Sequence, residues 1–117
     1  MNLDLFISKY RYKKDKNYDD WKAIKPDSQG IFYGDRESFV LTAKDLGEQG
    51  NITWCYINNV GHVILVDKDR YLDCNSNGWK LLADMPKSYS GLRRVYFPEV
   101  WLRKAKGFVL SLFYKEN

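Results

Sequence analysis

The stretch ITWCYINNVGHVILVDKDRYLDCN, residues 52–75, decides the fold. Three short β-branched and aromatic runs, 52–57, 62–67 and 70–75, are separated by Asn58-Asn59-Val60-Gly61 and by Lys68-Asp69-Arg70. Asn and Gly tolerate positive φ, so the first separator is turn chemistry, and the second is equally tight. Connections this short join antiparallel strands. The unbroken apolar run 63–66 predicts burial on both faces of the middle strand.

Working outward from this meander, Asp35 precedes Glu37, Phe39, Val40, Leu41, Ala43 and Leu46. Asp35 suits an N-cap and Gly47 a left-handed C-terminal position, which predicts a largely buried helix over 36–46. Leu3, Phe6, Ile7 and Tyr10 fall at helical spacing, so 3–12 reads as a short amphipathic helix. Residues 13–22 read as a polar loop and 26–34 as an irregular approach. Trp79–Met85 reads as a turn or helical piece. LRRVYF (92–97), ended by Pro98, is the expected fourth strand. GFVLSLFY (107–114) is the expected fifth, with Phe108, Leu110 and Leu112 alternating. The expected fold is α+β: a helix packed on an antiparallel sheet of about five strands.

The 117 residues suit one domain, with no repeat or linker, and 44% hydrophobic content against 29% charged fits a folded chain. No run of 18 apolar residues occurs, so a membrane span is excluded. The opening MNLDLFISKYRYKK has charge within its apolar stretch and no small-residue cleavage site, so no secretory signal is expected. Cys55 and Cys74 do not make a disulfide framework and read as free thiols of a reducing, cytoplasmic setting. The net charge of +4 is uneven. Residues 1–75 carry 11 basic and 12 acidic side chains, and residues 76–117 carry 8 basic and 3 acidic, net +5. Arg93, Arg94, Arg103, Lys104 and Lys106, interleaved with Trp101 and other aromatics, have the composition of a nucleic-acid surface, and equally of a solvated face.

His62 is the one histidine. A hairpin with a tight turn puts the start of its strand beside the end of the next, so His62 and Asp73 are expected to be neighbours within hydrogen-bond reach. This is the orienting half of a Cys–His–Asp triad, whose nucleophile belongs at a helix N-terminus where the dipole lowers a thiol pKa. That place holds Gly34-Asp35-Arg36-Glu37-Ser38-Phe39. Upstream stand Tyr12-Lys13-Lys14-Asp15, Asp19-Asp20-Trp21 and Pro26. Downstream stand Gly61-His62-Val63-Ile64-Leu65 and Tyr71-Leu72-Asp73-Cys74-Asn75. Over roughly residues 6–100 this order resembles the bacterial transglutaminase-like cysteine peptidases, a papain-like group whose helix opens Gly-Asp-Cys-Glu-Asp. The resemblance implies a papain/transglutaminase-like fold with His62 and Asp73 as triad members.

Arg36 stands where that family has its cysteine. A guanidinium stays protonated and cannot be a nucleophile. It can pair with Asp73 or sit against neutral His62. The resemblance therefore implies a catalytically inactive member that binds a partner macromolecule, and small size with a degenerate triad suits a phage or mobile-element modulator of a host protein. Two alternatives stay open. One is an active cysteine hydrolase or acyltransferase using Cys55 with His62 and Asp73. The other is a nucleic-acid-binding module using the basic segment. Some relatives in that family hold calcium on the acids flanking the nucleophile, and Asp35 and Glu37 are present here. Arg36 between them opposes a cation, so no metal is expected, and no fingerprint of any cofactor is present.

Overall fold

A computed structural model describes residues 1–14 and 21–112. Asp15, Asp19 and Asp20 of the upstream motifs, the middle of the expected loop, and positions 113–114 of the expected last strand lie outside the described residues.

The elements are α1 (Leu3–Lys9), β1 (Tyr10–Tyr12), β2 (Phe32–Gly34), α2 (Arg36–Asp45), β3 (Asn51–Ile57), β4 (Val60–Asp67), β5 (Arg70–Leu72), β6 (Lys80–Leu81), a 3₁₀ turn (Leu82–Asp84), β7 (Tyr89–Arg94) and α3 (Phe97–Ser111). Strands β3 to β7 form one antiparallel sheet in the order β6-β5-β4-β3-β7. The architecture is α+β. The β3–β4 hairpin turns on Asn58 and Asn59, both at positive φ (50° and 68°), as a two-residue turn between twisted strands requires.

Alternation along β4 splits the core. Val63 and Leu65 join Phe6, Trp21, Phe32, Phe39, Val40, Leu41, Ala43, Leu72, Val95 and Val100 on the α2 side. Ile64 points the other way, to Cys55 and Tyr71, covered by Leu82, Met85 and Tyr89. The middle strand is thus buried on both faces. Helix α2 is buried from Glu37 through Ala43 because it is sandwiched between the sheet and the α1–β1–β2 layer. Asp35 caps it, accepting from Ser38 N at 3.1 Å, and Gly47 follows it at φ +100°. The Tyr10 hydroxyl donates to the Gly34 carbonyl at 2.7 Å and pins the entry to this helix.

Three expectations are corrected. Residues 107–112 do not supply the fifth strand: 97–111 is helix, with Pro98 in its first turn. Val100, Arg103 and Gly107 at helical spacing turn inward, while Phe108 and Leu112 are exposed, so the alternation around Leu110 was not a strand period. The fifth strand is β6, within the segment read as turn or helix. The strand expected at 92–97 runs instead over Tyr89–Arg94, and Pro98 starts a helix rather than ending a strand. The first helix stops at Lys9, and Tyr10–Tyr12 pairs in parallel with Phe32–Gly34, inside the expected irregular approach. A parallel pair across a long connection leaves no local signal.

At Gly61 a Cβ would stand 2.6 Å from the Trp54 ring. The glycine that precedes His62 is therefore set by an indole lying against its Cα. Gly61→Ala is expected to destabilise the protein by about 1–3 kcal/mol through overpacking. Urea unfolding checks this, and a neutral substitution would mean that the indole swings away freely.

Candidate functional site

His62 and Asp73 are hydrogen-bonded, Nε2 to Oδ2, at 2.7 Å, and are 1% and 0% exposed. The hairpin positions them: β4 and β5 pair only at Leu65–Asp67 with Arg70–Leu72, and beyond Leu72 the chain turns beside the start of β4. Asp73 is held on every side. The Tyr89 hydroxyl donates to the same Oδ2 at 2.7 Å, and Asn75 N donates to Oδ1 at 3.0 Å. The Ser76 hydroxyl accepts from Asp73 N at 3.0 Å. The Tyr89 ring stands edge-on to the imidazole. Burial alone pushes the Asp73 carboxyl upward, but hydrogen bonds from His62 and Tyr89, with the His62 charge, hold it below the ordinary aspartate value. An ionised carboxylate only accepts, so His62 carries a proton on Nε2, and in the neutral ring Nδ1 is the basic nitrogen.

A cleft of about 380 Å³ opens on this pair, lined by Tyr12, Arg36, Ile57, Val60, Gly61, His62, Cys74 and Asn75. Arg36, the first residue of α2, reaches it from the opposite face of the sheet. By strand alternation His62 shares its face with Ile64 and Cys55, whereas α2 packs on the face of Val63 and Leu65. The guanidinium comes round the edge of β4 left uncovered by β5. It donates to the Gly61 carbonyl through one nitrogen and to the Tyr12 hydroxyl, at 3.4 Å, through the other. Burial weakens its hold on the proton, but the Tyr12 hydrogen bond first, with the Glu37 charge, more than reverses this. Arg36 stays cationic. The expected contact with Asp73 is not made: no ion pair joins them among the described residues, because Asp73 is already saturated and lies on the far face.

Cys55 lies directly opposite His62 in the β3–β4 register, on the same face. Its thiol is 0% exposed among Ile64 and Tyr71, and burial first, then Asp73, pushes its pKa up to about 11. A thiol so placed is a packed core group, short of the thiolate that attack requires. Cys74 lines the cleft on the other side. Burial, with Asp73 next, pushes it up to about 12, against the pull of Arg36.

Part of the basic segment is offset by an acid of its own. Arg93 and Arg103 share the Glu99 carboxylate, at 3.3 and 3.8 Å. Arg103 lies inward over the Trp21 and Trp54 rings, at 5.0 and 5.5 Å. Arg94 covers Tyr96. Lys104, Lys106 and Trp101 remain exposed on α3. Among the described residues no three His, Cys, Asp or Glu side chains gather as metal ligands, and no helix is long and apolar enough to cross a membrane. Tyr89, Ser76 and Tyr12 were not singled out as site residues from sequence. Tyr89 offered no signal, because its strand pairs with β3 and only the folded sheet carries its hydroxyl across to Asp73.

Because Asp73 is depressed in the folded state, its contribution is present above the unfolded pKa of about 3.9 and is lost as pH falls through the lower folded value. Urea unfolding from pH 7 downward is expected to show the gap between wild type and Asp73→Asn shrinking below about pH 4. A gap that is constant with pH would contradict this. Tyr89→Phe is expected to cost about 1–3 kcal/mol at pH 7, as for a buried bond to a charged acceptor. No protein-family model matches this chain, and no curated protein or solved structure matches it.

Proposed function

We propose that this chain is a catalytically inactive transglutaminase/papain-like protein that acts by binding a partner protein at the cleft beside His62. One observation carries the reading: a permanent cation, Arg36, occupies the helix N-terminus at the mouth of a cleft that still contains a buried, hydrogen-bonded His–Asp pair. A thiol at a helix start beside an imidazole ionises readily and attacks acyl carbons, whereas a guanidinium offers no electron pair. What remains is a rigid pocket wall with one cation and a flanking aromatic. The His–Asp–Tyr cluster then serves structure, tying the turn after β5 to β4 and β7. The segment of basic residues supports nucleic-acid binding less well, since Arg93 and Arg103 are paired with Glu99.

Arg36→Cys tests the relation to a cysteine enzyme. The change is expected to cost about 1–2 kcal/mol by removing the bonds to Gly61 and Tyr12. The introduced thiol is expected to be alkylated with an apparent pKa below the unperturbed value of about 8.5. The wild type is expected to release no product from peptide or amide substrates. Wild-type turnover, or an introduced thiol of ordinary pKa, would overturn the reading.

A further inference from the structure

Beside the His62 cleft lies a second one of about 420 Å³, sharing Tyr12, Arg36, Val60 and Gly61 with it. Glu37 lines this second cleft. Its side chain sits in the first turn of α2 and the residue is only 6% exposed. Among the described residues it has neither a hydrogen bond nor an ion pair, although Asp35, Ser38 and Thr42 around it are bonded. The two cations of the cleft do not neutralise it at contact distance. Arg36 is committed to Gly61 and Tyr12, so its charge acts on Glu37 only from beyond pairing range, and Lys14 makes no ion pair with it. The residue is nearly buried, but its carboxylate oxygens are not sealed off and keep contact with solvent at this cleft, where they have no protein partner.

The other walls are aromatic. Trp54, Tyr56 and Tyr12 line the same cleft, with Trp54 and Tyr56 edge-on at 6.1 Å and Tyr56 and Tyr12 42% and 50% exposed. Ring faces around a negative charge attract an organic cation through both charge and quadrupole. A hard metal ion instead needs several oxygens converging on it, and no cluster of metal-ligating side chains exists among the described residues.

We propose that this cleft is a recognition subsite for a side-chain cation, the ammonium of a lysine or the guanidinium of an arginine, with Glu37 as counter-charge and Trp54, Tyr56 and Tyr12 as aromatic walls. The carrier of the cation, a partner protein, rests on the binding role proposed above; the subsite rests on the geometry of Glu37 and the rings.

The test uses the full chain, labelled with ¹⁵N and titrated separately with Nα-acetyl-lysine amide, Nα-acetyl-arginine amide and the uncharged Nα-acetyl-norleucine amide. Saturable shifts of the Trp54 indole N–H and the Glu37 and Gly61 amides are expected with at least one cation, and not with norleucine amide. The tighter of the two identifies the side chain. Glu37→Gln, which keeps the shape and breaks no existing bond, is expected to weaken binding about tenfold or more. Tyr56→Leu keeps the carboxylate and is expected to weaken it severalfold. Equal shifts with norleucine amide, unchanged binding in Glu37→Gln, or saturation of the same resonances by calcium chloride but by neither organic cation would each overturn the proposal. Binding of the small cations in a chain later shown to turn over substrate would sink the inactive-protein reading and leave the subsite standing.

Discussion

The carboxylate of Asp73 is the group on which the site depends. It is fully buried and takes hydrogen bonds from His62 on β4, from Tyr89 on β7 and from the backbone of Asn75. A single buried charge thereby joins the middle of the sheet, its far edge strand and the turn after β5. Such a charge is tolerated only while its bonds are complete, because removing one donor leaves the others solvating an ion in a dry interior. This requirement holds the imidazole in one orientation beside the cleft. The bonding is that of the orienting half of a triad, and equally that of a structural charge cluster.

The proposed choice between those two uses rests on Arg36. This side chain comes from the opposite face of the sheet and reaches the cleft where β5 leaves β4, ending on the Gly61 carbonyl. Gly61 accepts this approach and the Trp54 indole together because it has no side chain. A sheet edge exposes unpaired backbone groups, and covering them is a structural need in its own right. One residue therefore caps a strand edge, lines two clefts and places a fixed positive charge in both. None of these tasks involves an electron pair, which is the ground for the proposed binding role.

Much of this was legible in the sequence where the physics is local. The turn residues Asn58 and Asn59 and the unbroken run 63–66 gave the hairpin. The hairpin in turn brought His62 and Asp73 within reach, although the ladder ends at Leu72 and the turn after it completes the contact. Asp35 and Gly47 bounded the central helix for the same reason. Non-local events were not legible. The parallel pairing of Tyr10–Tyr12 with Phe32–Gly34 has no short-range signature. Residues 107–114 alternate well enough to imitate a strand, and only the packing of Val100 and Arg103 against the core shows the helical period. Tyr89 reaches Asp73 across the sheet face, and Glu37 looked like an ordinary first-turn acid until its burial without a partner appeared.

The central claim, that the cleft holds no nucleophile, is most directly tested by thiol alkylation of the folded wild-type protein at neutral pH, followed residue by residue by mass spectrometry. The account predicts that Cys55 and Cys74 both react more slowly than a free cysteine, since burial raises both thiols to about 11 and about 12. Labelling of either one faster than free cysteine, without unfolding, would reveal a stabilised thiolate beside His62 and contradict the claim.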